Sequence, residues 1–148
     1  MEFKWSRFAD LSPFEVHTLL QAREAVFVVE QNCPYLDADD LDVSSWHLFV
    51  RVGGLLAATC RVVEPGLKFS EPSIGRVLSV QAFRKQGLGR ALMREAIRFT
   101  EERYPHQGIQ IGAQAYLLAF YASFGFEPIG EEYDEDGIPH WHMIKRPI

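Results

Sequence analysis

The run Arg84-Lys85-Gln86-Gly87-Leu88-Gly89 joins two glycines and two cations at the point where an apolar strand pattern gives way to a helical one. Such a loop could hold a phosphate. Ahead of it, Ile74-Gly75-Arg76-Val77-Leu78-Ser79-Val80 is apolar and β-branched; behind it, Leu88, Leu92, Ala96 and Phe99 recur at the spacing of one helix face. Glycine lets the backbone curl and approach a ligand without a Cβ in the way. The first turn of a helix leaves N–H groups unpaired, and the positive end of its dipole favours an anion. Arg90 adds a further cation. The spacing also excludes two nucleotide motifs: Leu92 stands where the dinucleotide fingerprint has its third glycine, and no Gly-Lys-Ser/Thr follows. From these six residues alone, an anion cradle and an ordinary strand-to-helix turn are equal readings.

Other reactive side chains are less organised. Cys33 and Cys60 have neither metal nor redox spacing, and Cys33 beside Pro34 has no cationic activator nearby in sequence. His140-x-His142 puts two imidazoles on one strand face, with Asp134-Glu135-Asp136 close in sequence. Zinc requires three or four converging ligands, and the Asp-x-Asp-Gly fragment lacks the rest of a calcium loop. No metal site is expected. Asp37, Asp39, Asp40 and Asp42 crowd one loop, and Glu131, Glu132, Asp134, Glu135 and Asp136 form a second acidic patch. Most such runs are solvated faces.

The elements that must position these groups read as follows. Ser12-Pro13-Phe14-Glu15 opens a helix with a capping box and continues to about Val29. A polar loop covers 31–43. Trp46 to Val52 and Leu55 to Val63 form strands joined by Gly53-Gly54, a two-residue hairpin signal. After a loop come the strand at 74–80, the glycine loop, and a helix to about Arg103. Ile109 to Ala113 is a short buried strand, and Tyr116 to Phe124 a short helix ended by Gly125. Pro128 to Tyr133 and Ile138 to Ile144 make a hairpin around Asp136-Gly137. The order predicts an α/β protein, one mixed sheet flanked by helices, as a single domain over 1–148. A net charge of −5 and a pI near 5.5 argue against general nucleic-acid binding. No stretch reaches the ~20 apolar residues of a membrane helix, and Met1-Glu2-Phe3-Lys4-Trp5 lacks the apolar run of a signal peptide, so a cytoplasmic protein without a disulfide is expected.

The Arg-x-x-Gly-x-Gly loop after a central strand, followed by Phe120-Tyr121-x-x-Phe124-Gly125-Phe126, resembles the GCN5-related N-acetyltransferase (GNAT) superfamily over essentially the whole chain. Arg23 with Val26-Phe27-Val28-Val29-Glu30-Gln31, Cys33-Pro34-Tyr35, the aspartate loop leading to His47, and Gly137-Ile138-Pro139-His140 are similar to its ElaA-like branch. The resemblance implies transfer of an acyl group, usually acetyl, from coenzyme A to a primary amine. It implies that Gln86, Gly87, Leu88, Gly89 and Arg90 hold the pyrophosphate through backbone amides, with Arg84 and Lys85 nearby. The backbone of Leu78, Ser79 and Val80 would pair with the pantetheine arm and help polarise the thioester carbonyl.

Tyr121 would give a proton to the departing thiolate, since the family places a tyrosine there; read from periodicity alone, it simply packs among Phe120, Phe124 and Phe126. The attacking amine, with a pKa near ~10.4, must also lose a proton. Here the chain departs from the family. No carboxylate stands on the strand at 75–80, and Gln114-Ala115 replaces a common Asn. Glu30, His47, His140 and His142 remain as candidate bases, with His47 equally readable as a structural histidine holding the aspartate loop. If the two acidic patches flank the acceptor mouth, they would attract a cationic amine. An edge strand near the C-terminal hairpin could support a homodimer. Loss of the chemistry with retention of the cradle would leave a non-catalytic acyl-CoA-binding module.

Overall fold

Two antiparallel sheets lie side by side, in a computed structural model that describes all of residues 1–148. The first has the order β1-β2-β3-β4, made of Glu2–Arg7, Trp46–Val52, Leu55–Val63 and Ser73–Ser79. The second has the order β5-β7-β6, made of Ile109–Gln114, Ile138–Lys145 and Glu127–Glu135 respectively. Helix α1 (Pro13–Arg23) follows β1, a short α2 (Leu41–Ser44) precedes β2, and α3 (Leu88–Arg103) carries the chain from one sheet to the other. A fourth short helix, α4 (Leu118–Ala122), follows β5. No helix is long and apolar enough to cross a membrane.

The local signals act as their chemistry requires. Ser12 Oγ accepts the Glu15 N–H at 3.1 Å while Glu15 Oε1 accepts the Ser12 N–H at 3.0 Å, with Pro13 at the first helical position. Both two-residue hairpins place their central residues at positive φ, Gly53 at 59° and Gly54 at 80°, then Asp136 at 54° and Gly137 at 81°. That is the turn whose twist matches the flanking strands. Helix α3 buries Leu88, Leu92, Met93, Ala96 and Ile97 against Leu48, Val50, Ala58, Cys60 and Ile74 of the first sheet. The same core runs on into Ile109, Ile111, Phe126 and Met143 of the second.

Three features differ from the sequence expectation. Glu2–Arg7 is a strand, paired with β2 from Glu2 opposite Arg51 to Arg7 opposite Trp46; its alternation of Phe3 and Trp5 with charged residues was the available signal. The helix expected to reach Val29 is α-helical only to Arg23, and Glu24–Glu30 continues as a π-helix. Its wider turns are closed by bonds such as Gln31 N–H to the Val26 carbonyl at 3.2 Å. They redirect Val26, Phe27, Val28 and Glu30 toward a central cavity.

The expected α/β fold with helices flanking the strands holds, and the third difference is that the strands divide into two sheets. One bond, Gln110 N–H to the Pro72 carbonyl at 3.0 Å, joins the chain at the start of β4 and β5. Beyond it, no ladder connects the two strands. A bulge accompanies the separation: between Thr59–Leu78 and Arg61–Gly75, β4 takes one more residue step than β3, and Arg76 sits at φ 51°. Each sheet therefore offers an open edge to the space between them.

Candidate active site

That space is a cavity of about 740 Å³, within the usual size of ligand sites. At one end stands the glycine loop. Lys85 at φ 66° and Gly87 at φ 74° curl the backbone, and no side chain caps the start of α3. Its first-turn N–H groups thus have no intrahelical partner. A Cβ on Gly89 would lie 3.8 Å from both Phe120 and the Ser79 hydroxyl, so glycine there leaves open the gap between loop and β4. These are the features an anion needs.

The loop's cations are disposed unequally. Arg84 folds back: its Nε donates to the Ser79 carbonyl at 3.2 Å, and its two terminal nitrogens hold both oxygens of Glu30. Arg90 lies over the Phe124 ring at 4.7 Å and donates to Ser123 Oγ at 3.2 Å, tying α3 to the turn after α4. Lys85 lines the cavity without an ion pair. Along β4, Leu78 and Ser79 line the cavity, and Ser79 turns its carbonyl outward to Arg84. Val80 instead gives its N–H to the Ala57 carbonyl at 2.8 Å. Its amide faces β3 rather than the cavity.

Tyr121 reaches the cavity from α4. It is 7% exposed, held edge-on by Phe120 at 5.2 Å and Phe126 at 6.2 Å. Its hydroxyl makes no hydrogen bond within the protein, and burial pushes its pKa well up, so the phenol stays protonated. Glu30 lines the same cavity, but the Arg84 guanidinium lowers its pKa and occupies both oxygens. His47 lies elsewhere. It is fully buried, its Nε2 2.8 Å from the Asp42 carbonyl, and burial lowers its pKa. As a base it has no access to a substrate in the cavity. His142 stacks on Tyr133 at 4.5 Å, outside the wall, whereas His140 is in it.

The acetyltransferase (GNAT) domain family matches residues 68–147, more than half of the chain. The chain belongs to the GNAT family. Protein ElaA of Escherichia coli is 39% identical over 150 residues, covering 100% of this chain and 98% of that protein. A UPF0039 protein of Synechocystis is 46% identical over 147 residues, covering 99% and 96%. Among solved structures, an acyl-CoA N-acyltransferase from Pseudomonas aeruginosa superposes with a TM-score of 0.91 at 38% identity, covering 98% of this chain and 99% of that one. Escherichia coli ElaA superposes equally well, at 0.91 and 37% identity, with the same coverage. The chain is an ElaA-like GNAT protein with the GNAT fold.

Within this GNAT fold the aspartate loop is not a bare acidic patch. Arg23 donates to Asp37 at 2.6 Å and Asp42 at 2.7 Å; Arg61 donates to Asp39 at 2.6 Å and Asp42 at 2.8 Å. Arg76, on the β4 bulge, lies 2.8 Å from Asp37. Burial opposes ionisation of Asp42, yet Arg23 and Arg61 outweigh it and hold its pKa at about 2. Three aspartates are therefore answered by three buried or half-buried arginines, and only Asp40 stays unpaired. The expected attraction of a cationic amine by Asp37, Asp39 and Asp42 is corrected accordingly. Of the second patch, Glu135 and Asp136 reach the cavity, while Glu131, Glu132 and Asp134 point to solvent from β6. Sequence reading passed over Arg61, Arg76 and Lys68. An arginine inside an apolar strand run was the signal for Arg61, because a buried guanidinium requires carboxylate partners.

Proposed function

We propose that this protein transfers an acyl group, acetyl in the simplest case, from coenzyme A to the primary amine of an acceptor by direct attack in a ternary complex. The observation that carries this reading is that one cavity joins the uncapped start of α3, the open edge of β4 and the unpaired hydroxyl of Tyr121. The glycine loop supports a pyrophosphate contact made by the backbone of 86–90, with Lys85 as the free cation. Arg84 and Arg90 act through position, bracing the loop against β4 and against the turn after α4. The outward-facing backbone of Ser79 supports pairing with an extended pantetheine arm.

Bound acyl-CoA supplies an activated thioester carbonyl. The protein's part is to hold that carbonyl at the β4 edge, exclude water, and move protons. Tyr121 serves as proton donor to the departing sulfur: the phenol is held protonated by burial and engaged by no other group. The name of the Pseudomonas aeruginosa relative, an acyl-CoA N-acyltransferase, supports the acyl-transfer reading.

The test is thiol release from acetyl-CoA with polyamines, amino acids and lysine peptides, beside direct titration of acetyl-CoA. Turnover with any primary amine is expected. The absence of a carboxylate on β4 favours one second reading, a non-catalytic acyl-CoA-binding module. Binding without turnover on any amine would select it, and no binding would sink both.

A further inference from the structure

We propose that His140 is the group that takes the proton from the acceptor's ammonium, with Glu135 pairing with the imidazolium that results. The assignment rests on the acyl-transfer reading and deepens it, placing the acceptor amine at the β7 side of the cavity.

The wall holds several titratable groups, and four of them are committed to partners. Glu30 has both oxygens on Arg84. Asp37 lies between Arg23 and Arg76, and Asp39 on Arg61. Cys33 donates its thiol to the Asp136 carbonyl at 3.1 Å. Tyr121 is a proton donor, and Asp136 is exposed on the hairpin turn. His140 differs in kind.

Its side chain is 8% exposed, and its Nδ1 lies 2.8 Å from the Ile138 carbonyl. A carbonyl only accepts, so Nδ1 carries the proton and the lone pair of the neutral ring sits on Nε2. That nitrogen has one protein neighbour, Glu135 Oε2 at 3.3 Å. With Nδ1 on the Ile138 carbonyl, Nε2 is the nitrogen that takes up a proton, and Glu135 beside it can pair with the imidazolium once it has formed. Across the strand pair, His140 stands opposite Gln114, whose amide exchanges bonds of 3.2 and 3.4 Å with Gln31 over the cavity. These amides can hold the incoming nitrogen near the ring.

The protons balance. An acceptor R–NH3⁺ gives one proton to His140 Nε2, and the free amine attacks the thioester carbon, forming C–N. The C–S bond breaks, the sulfur takes a proton from Tyr121, and the new amide nitrogen returns its surplus proton to Tyr121. His140 then releases its proton to solvent, so the net products are the amide, the thiol and H⁺.

The titratable and charged groups on the elements beside His140 are Glu135 and Tyr133 from β6, Asp136 from the turn and His142 from β7, with Lys68 from the loop before β4 and Arg76 from β4 lining the same cavity; β5 offers only the neutral Gln114. The pH profile must therefore be assigned by variants. With an amine that the wild type acetylates, kcat/KM should rise with pH to a plateau as the proton-accepting group becomes free. His140→Gln should lower kcat/KM by about 100- to 10,000-fold and remove that limb while leaving acetyl-CoA affinity unchanged. Added imidazole should restore turnover to His140→Ala, which a packing role would not allow. Glu135→Gln should lower kcat/KM less than His140→Gln does, since it removes only the anion that pairs with the imidazolium. A His140→Gln protein with wild-type rate and an unchanged limb would overturn this assignment alone. A wild type that turns over no amine would overturn it together with the proposed function.

Discussion

Arg84 is a cation in the sequence and a brace in the fold. Its position in the glycine loop suggests a phosphate ligand, but its donors are taken by Ser79 and Glu30. What remains for a pyrophosphate is Lys85 and backbone, and the backbone depends on the glycines. At Gly89 a methyl group meets only ordinary contacts of 3.8 Å, so Gly89→Ala should keep acetyl-CoA binding, whereas Gly89→Glu places a carboxylate in the cradle and should abolish it. Calorimetric titration of both variants decides whether the anion site is there. Gly87 is different: a side chain at φ 74° meets nothing but is conformationally strained, so Gly87→Ala should lower stability by about 1–2 kcal/mol. Tyr121→Phe keeps the aromatic packing and removes only the unpaired hydroxyl. It should lower kcat by about 100-fold or more with acetyl-CoA affinity unchanged, read by steady-state thiol release and titration. Normal turnover in that variant would remove Tyr121 from the reaction.

Among the elements, the π-helical stretch Glu24–Glu30 is held from both ends. Arg23 anchors its start to Asp37 and Asp42, and Glu30 and Gln31 tie its end to the glycine loop and to β5. A π-helix is intrinsically unfavourable, and tertiary contacts of this kind are what maintain it. Arg23 is 1% exposed, so its removal leaves buried carboxylates short of a partner. Arg23→Met should therefore cost about 3–5 kcal/mol, seen as a lower denaturant midpoint with the same slope. The exposed pair Arg84–Glu30 should matter far less to stability, because solvent screens it.

For the whole molecule, the arrangement of carboxylates and a buried imidazole fixes how stability follows pH. Lys4, with the Ser12 N–H, lowers Glu15 from 4.5 to about 2, and Asp42 falls from 3.8 to about 2. A depressed carboxylate stabilises the fold above its unfolded pKa and loses that contribution as pH falls toward the folded one. His47, kept neutral by burial below its ordinary 6.5, acts in the same direction: the unfolded chain takes up its proton first. The melting temperature should thus hold above pH 6.5, decline gently below it, and fall steeply between about pH 4.5 and 2. A melting series across that range checks it. His47→Gln should flatten only the upper part of the decline.

Local chemistry in the sequence determined the capping box at Ser12, both two-residue hairpins, the amphipathic α3 and the glycine loop, because each depends on residues within a few positions of one another. The order of loop and Tyr121 segment, together with the resemblance it carries, also sufficed for the GNAT fold. The two-sheet split, the π-helix and the Arg–Asp network were decided only in three dimensions. Each arises between residues distant in the chain: Arg23 with Asp42, Arg61 with Asp39, Arg84 with Glu30. The same physics gave the candidate bases different surroundings. Three histidines and one glutamate looked equivalent in sequence, since spacing alone carries no burial. Tertiary packing buried His47 on the aspartate loop, set His142 against Tyr133, bound Glu30 to Arg84, and left His140 in the cavity wall with its Nδ1 on the Ile138 carbonyl.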